Sequence, residues 1–199
     1  MIFVFIILEV NNLAMSQHCF VKALELNKKS AITWTNLGVL YLSQHQIKLA
    51  NKAFGRAQQA NTSFVNAWIG QACIAEVIGE ADEAMDLFKH CTSLEYQPES
   101  AIGFTHWICT ALNNETYQQN ERFRYAIEHM FGVPLALDSI NWYCIDELET
   151  SSVEAFCFLG YLFYNQKLYK NAVNAFLKAS ERAEFGEIRY VTALHFSVL

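Results

Sequence analysis

The sequence predicts an all-α solenoid of stacked helical hairpins, and three observations carry that prediction. Ala31 to Ser63 sets Trp34, Leu37, Gly38, Tyr41, Ala50, Phe54 and Ala57 at positions 4, 7, 8, 11, 20, 24 and 27 of a 34-residue unit. The pattern then returns: Trp68, Ala84 and Phe88 follow Trp34, Ala50 and Phe54 by 34 residues, and Phe156, Leu159, Gly160, Phe163, Ala172, Phe176 and Ala179 restore the whole set. A fixed period of this size marks a repeat architecture. Finally, 199 residues hold only two Pro and eight Gly while 53% are hydrophobic and 17% charged. That composition favours helices around a continuous core over a sheet or a disordered chain.

The types at these positions have a packing logic. Positions 4, 7, 8 and 11 share one face of a helix A. Position 8 is where helix B crosses closely, so a side chain is unwelcome there. Gly in a helix interior costs roughly 1 kcal/mol against Ala, and close packing offsets it. Ala50 and Ala57 serve the same purpose on helix B, with Phe54 filling the space between. This spacing resembles that of the tetratricopeptide repeat (TPR), two antiparallel helices joined by a short turn. Only the closing Pro of that pattern is missing, with Thr62 in its place. The resemblance implies a TPR-type solenoid coiled into a right-handed superhelix.

The elements follow in order. Residues 1–30 read as a partial repeat whose helix B is Leu13–Leu26, because Phe20 and Ala23 precede Phe54 and Ala57 by 34. Met1–Leu8 is an unbroken apolar run, too short for a bilayer, which needs about 20 residues, and without the basic start of a signal peptide. Residues 31–64 and 65–98 are two repeats. In the second, Ala72 stands at position 8, Cys91 at 27, and Gly79–Asp82 make the turn. Residues 99–152 are a divergent repeat plus an extra helix. Ser100–Leu112 is its helix A and Glu115–Met130 its helix B, with Tyr117, Phe123, Ile127 and Met130 on one stripe. Gly132 stops that helix, and Pro134 starts another, to Leu148, with no repeat partner. Residues 153–186 are a repeat in which Phe replaces Trp at position 4 and Tyr at 11, a change at the rim and little else. Residues 187–199 begin a further repeat, so the chain reads as cut from a longer array.

Several function classes are disfavoured. A net charge of -6 without a basic stripe is a poor match for phosphate binding, so no direct nucleic-acid contact is expected. No membrane segment is expected either. The six Cys form no Cys-x-x-Cys pair and read as reduced thiols. His106 and Cys109 lie three apart, but a zinc site needs four ligands at recognisable spacing. His90 beside Cys91 lacks the oriented third group of a catalytic pair. No phosphate loop or nucleophile elbow is present, so neither an enzyme nor a cofactor is expected.

In TPR arrays the concave groove is lined from helix A, which makes Asn36, Val39, Asn66, Ile69, Phe158 and Tyr161 the candidate binding face. The Lys–Arg–Asn clamp of chaperone-binding TPR proteins is not matched, since only Asn36 is of the right type. Two readings of this apolar lining stand side by side: packing between turns of the superhelix, and a groove for an apolar peptide segment.

Trp34 to Leu42, Trp68 to Ala72, Met85 to His90 and His106 to Thr110, together with the interruption in the middle, resemble one TPR family. It is the scaffold subunit of the superkiller (Ski) complex, and the likeness covers Leu13 to Ala183. The resemblance implies a non-catalytic protein-interaction scaffold in the cytoplasm, with a nuclear pool as an alternative. Its implied partners are an RNA helicase and a WD40 subunit, and indirectly the exosome, in 3′-to-5′ mRNA decay. The alternative is a stand-alone peptide-binding TPR adaptor.

Overall fold

Small polar caps and one recurring left-handed turn residue decide where the helices begin and end. The computed structural model describes residues 13–115, 119–130, 132–146 and 152–183. The readings of residues 1–12, Tyr117, Leu148 and residues 187–199 lie outside them. Among the described residues the helices are α1 (Leu13–Leu26), α2 (Ala31–Ser43), α3 (Ile47–Ala60), α4 (Val65–Ile78) and α5 (Ala81–Leu94), then α6 (Pro98–Asn113), α7 (Glu121–His129), α8 (Val133–Asp146), α9 (Val153–Asn165) and α10 (Tyr169–Arg182). No strand occurs among them, and the fold is an all-α helical-hairpin solenoid. Side-chain oxygens of Ser30, Asn120 and Ser152 accept from the backbone N–H of Thr33, Phe123 and Ala155, closing the starts of α2, α7 and α9. A cap of this kind satisfies one of the orphan donors of a first helical turn.

The turn between the two helices of a hairpin is the same object three times. Gly79, His45 and Lys167 each stand at position 15 of their repeats, with φ of 86°, 58° and 61°. One residue later the N–H of Gln46, Glu80 and Leu168 donates to the carbonyl of Tyr41, Ala75 and Phe163, at 2.9 Å in each case. That six-to-one bond is the Schellman closure of a helix end. Only Gly79 takes the left-handed conformation without a Cβ penalty.

The chain divides into two compact units, residues 1–95 and 96–199. In the first, α2 pairs with α3 and α4 with α5, α1 lies against α2, and α4 packs on both α2 and α3. Phe54 on α3 is fully buried, between two helices that each present a glycine to its ring. A Cβ on Gly38 would lie 2.7 Å from that ring, and a Cβ on Gly70 would overlap it. Gly70 was not among the predicted packing residues. In the second unit Gly160 stands in the same relation to Phe176, at 2.6 Å.

The second unit corrects one expectation. α6 and α9 both pack on α8, whereas α7 has only slight contact with α6. Thus α8, not the segment Glu115–Met130, fills the helix B slot of the divergent repeat. The added helical segment lies between helix A and helix B. Ala136, Ile140 and Cys144 of α8 are fully buried, while of the stripe expected on α7 only Ile127 is buried and Met130 is exposed. Gly132 then does more than stop a helix, because a Cβ there would overlap the backbone of Ile127.

Two substitutions separate a packing glycine from a merely tolerated one. Gly55 on α3 has nothing within 4 Å of its would-be Cβ. Gly55→Ala should therefore stabilise the first unit by up to about 1 kcal/mol through helix propensity. Gly70→Ala should destabilise it by about 1–3 kcal/mol through overpacking. Thermal or urea unfolding of both variants checks this, and equal effects would contradict it.

Candidate functional site

The predicted packing residues differ in burial. Leu37, Gly38, Ala50, Phe54, Ala57, Ala84, Phe88, Phe156, Leu159, Gly160, Ala172 and Ala179 are buried, while Trp34, Tyr41, Trp68, Phe163 and Phe176 are half-buried. The two Trp side chains have a further role. Trp34 Nε1 donates to the Lys28 carbonyl and Trp68 Nε1 to the Thr62 carbonyl, both at 2.9 Å. Each indole thus fastens the turn that precedes its repeat. Phe156 has no N–H to offer, so its substitution for Trp removes a tether and is more than a change at the rim.

The expected binding face is only partly available. Ile69 is 7% and Phe158 1% exposed, so both belong to the packing of their units, which corrects their assignment to an open face. Phe158 meets the His106 ring at 5.9 Å. The Tyr161 hydroxyl donates to Asn113 Oδ1 at 2.7 Å, and Tyr161 is half-buried. Val39 is half-buried against the Ala50–Phe54–Ile74 cluster. Asn36 is half-buried, and Asn66 Oδ1 is buried with no hydrogen-bond partner.

The candidate chemical pairs resolve into packing as well. His90 stacks edge-on against Trp68 with centroids 4.7 Å apart, and His106 lies against Trp107 and Phe158. All six cysteines are thiols outside any disulfide. Burial, with the nearby Cys73 adding to it, pushes the Cys91 thiol up from its ordinary 9.0 to about 12. Burial raises Cys144 to about 12 against the pull of Lys178 and Arg182, and it raises Cys109 further. These are protonated packing groups at neutral pH, not activated thiolates. Among the described residues no group of three metal-ligating side chains forms, and no helix is long and apolar enough to cross a membrane.

A surface that the sequence reading missed is the groove flanked by successive helix B elements and floored by helix A. In the first unit it has a volume of about 770 Å³, with Trp34, Leu37 and Tyr41 on its floor and Lys28, Lys29 and Arg56 at its edges. In the second unit the corresponding groove has a volume of about 300 Å³, over Phe156, Leu159 and Phe163, with Asn171, Asn174 and Lys178 beside it. The floors are positions 4, 7 and 11, the same residues that define the repeat. Aligning position 26, which is Arg56, His90 and Lys178, would have exposed this column from sequence.

Comparison with known proteins agrees with this geometry. Tetratricopeptide-repeat models match residues 19–52 and 153–185. The crystal structure of MamA superposes with a TM-score of 0.57 at 15% identity, covering 87% of this chain and 90% of that one, a likeness of fold alone. The chain belongs to the tetratricopeptide-repeat proteins. Within them it is similar to superkiller complex protein 3 of Mus musculus, 40% identical over 171 residues, which is 86% of this chain and 11% of that protein. It is likewise similar to tetratricopeptide repeat protein 37 of Xenopus laevis, 37% identical over 84% of this chain and 10% of that protein. The chain thus spans about a tenth of the length of these relatives.

The buried thiols carry a pH dependence. A thiol with a folded pKa of about 12 and an ordinary value of 9.0 favours the folded state fully below pH 9, and that stability is lost as pH rises toward 12. Each such thiol should withdraw about 1.4 kcal/mol between pH 7 and pH 10. Cys91→Ala, which places at position 27 the residue found there in the other repeats, should remove that share of the alkaline loss. Denaturant unfolding at the two pH values in reductant measures it, and an identical loss in the variant would contradict it.

Proposed function

We propose that this chain is part of a non-catalytic scaffold that holds protein partners together in a Ski-type complex. The observation that carries this reading is the 40% identity to superkiller complex protein 3 across 86% of the chain. The fold is consistent with such a role, because hairpins that bury their signature residues against one another leave side chains at the rims free to vary. Solenoids of this kind work through extended surfaces and not through a reaction centre. By resemblance to that family, the partners are an RNA helicase and a WD40 propeller protein, and the process served is exosome-mediated 3′-to-5′ mRNA decay in the cytoplasm.

Pull-down of the tagged chain from cytoplasmic extract tests the proposal. Recovery of the helicase and the propeller protein supports it. Recovery of chaperones through their C-terminal tails, without those two, would overturn it in favour of a peptide-binding adaptor.

A further inference from the structure

The groove floored by Trp34 differs from its counterparts first in what meets the half-buried ring. At position 26 of the second repeat, His90 lies against Trp68. In the last repeat, Lys178 stands 5.8 Å and Arg182 4.9 Å from the Phe156 centroid. A cation over an aromatic face is an attractive contact. In the first full repeat the position 26 residue, Arg56, instead donates to Gln59 Oε1 at 3.3 Å. Among the described residues no cation or ring stacks on Trp34, whose indole N–H is spent on the Lys28 carbonyl. The groove is also the larger of the two, at about 770 Å³ against about 300 Å³.

Its charge is equally particular. The chain as a whole carries -6, yet Lys28, Lys29 and Arg56 meet at this groove. Among the described residues none of the three has a carboxylate within ion-pair distance, and the lining Glu25 is occupied by Lys22 at 2.7 Å. Three unanswered cations around an apolar floor call for carboxylates on the partner.

We infer that the groove between α1 and α3 docks an acidic segment of a partner protein, with an apolar side chain seated on Trp34 and carboxylates facing Lys28, Lys29 and Arg56. This deepens the scaffold reading and rests on it only for the statement that the occupant is a protein. The occupant is an acidic and apolar peptide, because the floor offers apolar area and the edges carry Lys28, Lys29 and Arg56. Arg56, freed from Gln59, is long enough to close over the seated group as Lys178 does over Phe156.

The test is fluorescence anisotropy with the 199-residue chain and a labelled synthetic peptide alternating glutamate with leucine, set against the same peptide with lysine for glutamate. The glutamate peptide should bind saturably, more weakly as salt rises, and the lysine peptide should not. Lys28→Glu, Lys29→Glu and Arg56→Glu together should weaken binding at least about tenfold. Lys178→Glu in the covered counterpart should leave it unchanged. If circular dichroism shows the triple variant misfolded, Arg56→Glu alone decides, with a several-fold loss expected. Unchanged affinity in the charge-reversed variant, equal binding of the lysine peptide, or no saturable binding would overturn the inference. The titration reads the groove alone, so its failure leaves the pull-down result standing, and the reverse holds.

Discussion

The structure of the first unit depends on one aromatic ring held between two absent side chains. Phe54 is completely buried, with Gly38 of its own hairpin on one side and Gly70 of the next on the other. Protein interiors are packed to crystal density, so the ring sets the distance at which α2, α3 and α4 can approach. The ring links one hairpin to the next, and a solenoid is the sum of such nearest-neighbour interfaces. Gly160 and Phe176 show that the half of this arrangement internal to a hairpin is repeated in the second unit.

Around that fixed centre, the repeats keep their backbone and vary their edges. The turn at position 15 is left-handed whether it holds Gly79, His45 or Lys167, so tertiary packing overrides the local preference of two of the three. Position 26 changes from Arg56 to His90 to Lys178, and with it changes what stands beside the aromatic residue at position 4. The same floor therefore presents an open basic groove in one repeat and a covered one in another. Specificity in such an array resides in side chains that the repeat pattern does not constrain.

Much of the fold was legible because the signature positions are packing constraints written at fixed intervals. Wherever Trp, Leu, Gly, Ala and Phe recur at their offsets, the helices fall accordingly. The middle of the chain was less legible for a physical reason. Both Glu115–Met130 and Pro134–Leu148 carry enough apolar residues to pass for helix B, and periodicity cannot say which of two such helices packs on α6. The burial of Ala136 and Ile140 decides it. The binding face was legible only as a set of positions. Which of them stay exposed depends on neighbouring helices, and so Ile69 and Phe158 proved to be packed. Gly70 was overlooked because its reason lies across a hairpin boundary, in the ring of Phe54, and not in its own repeat's pattern. The basic groove was harder to read because Lys28 and Lys29 of the turn after α1 meet Arg56 of α3 only in the folded chain, and the position 26 column gives just one of the three.

The most direct test of the central claim is a double-mutant cycle between Phe54→Leu and Gly70→Ala, followed by unfolding. If the ring is what forbids a Cβ on α4, trimming it should relieve much of the cost of the alanine. The two substitutions should then couple by about 0.5–3 kcal/mol, with the double variant more stable than the sum of the singles. Strict additivity would mean that the ring and the glycine do not constrain one another, and the account of how these hairpins are held together would fail.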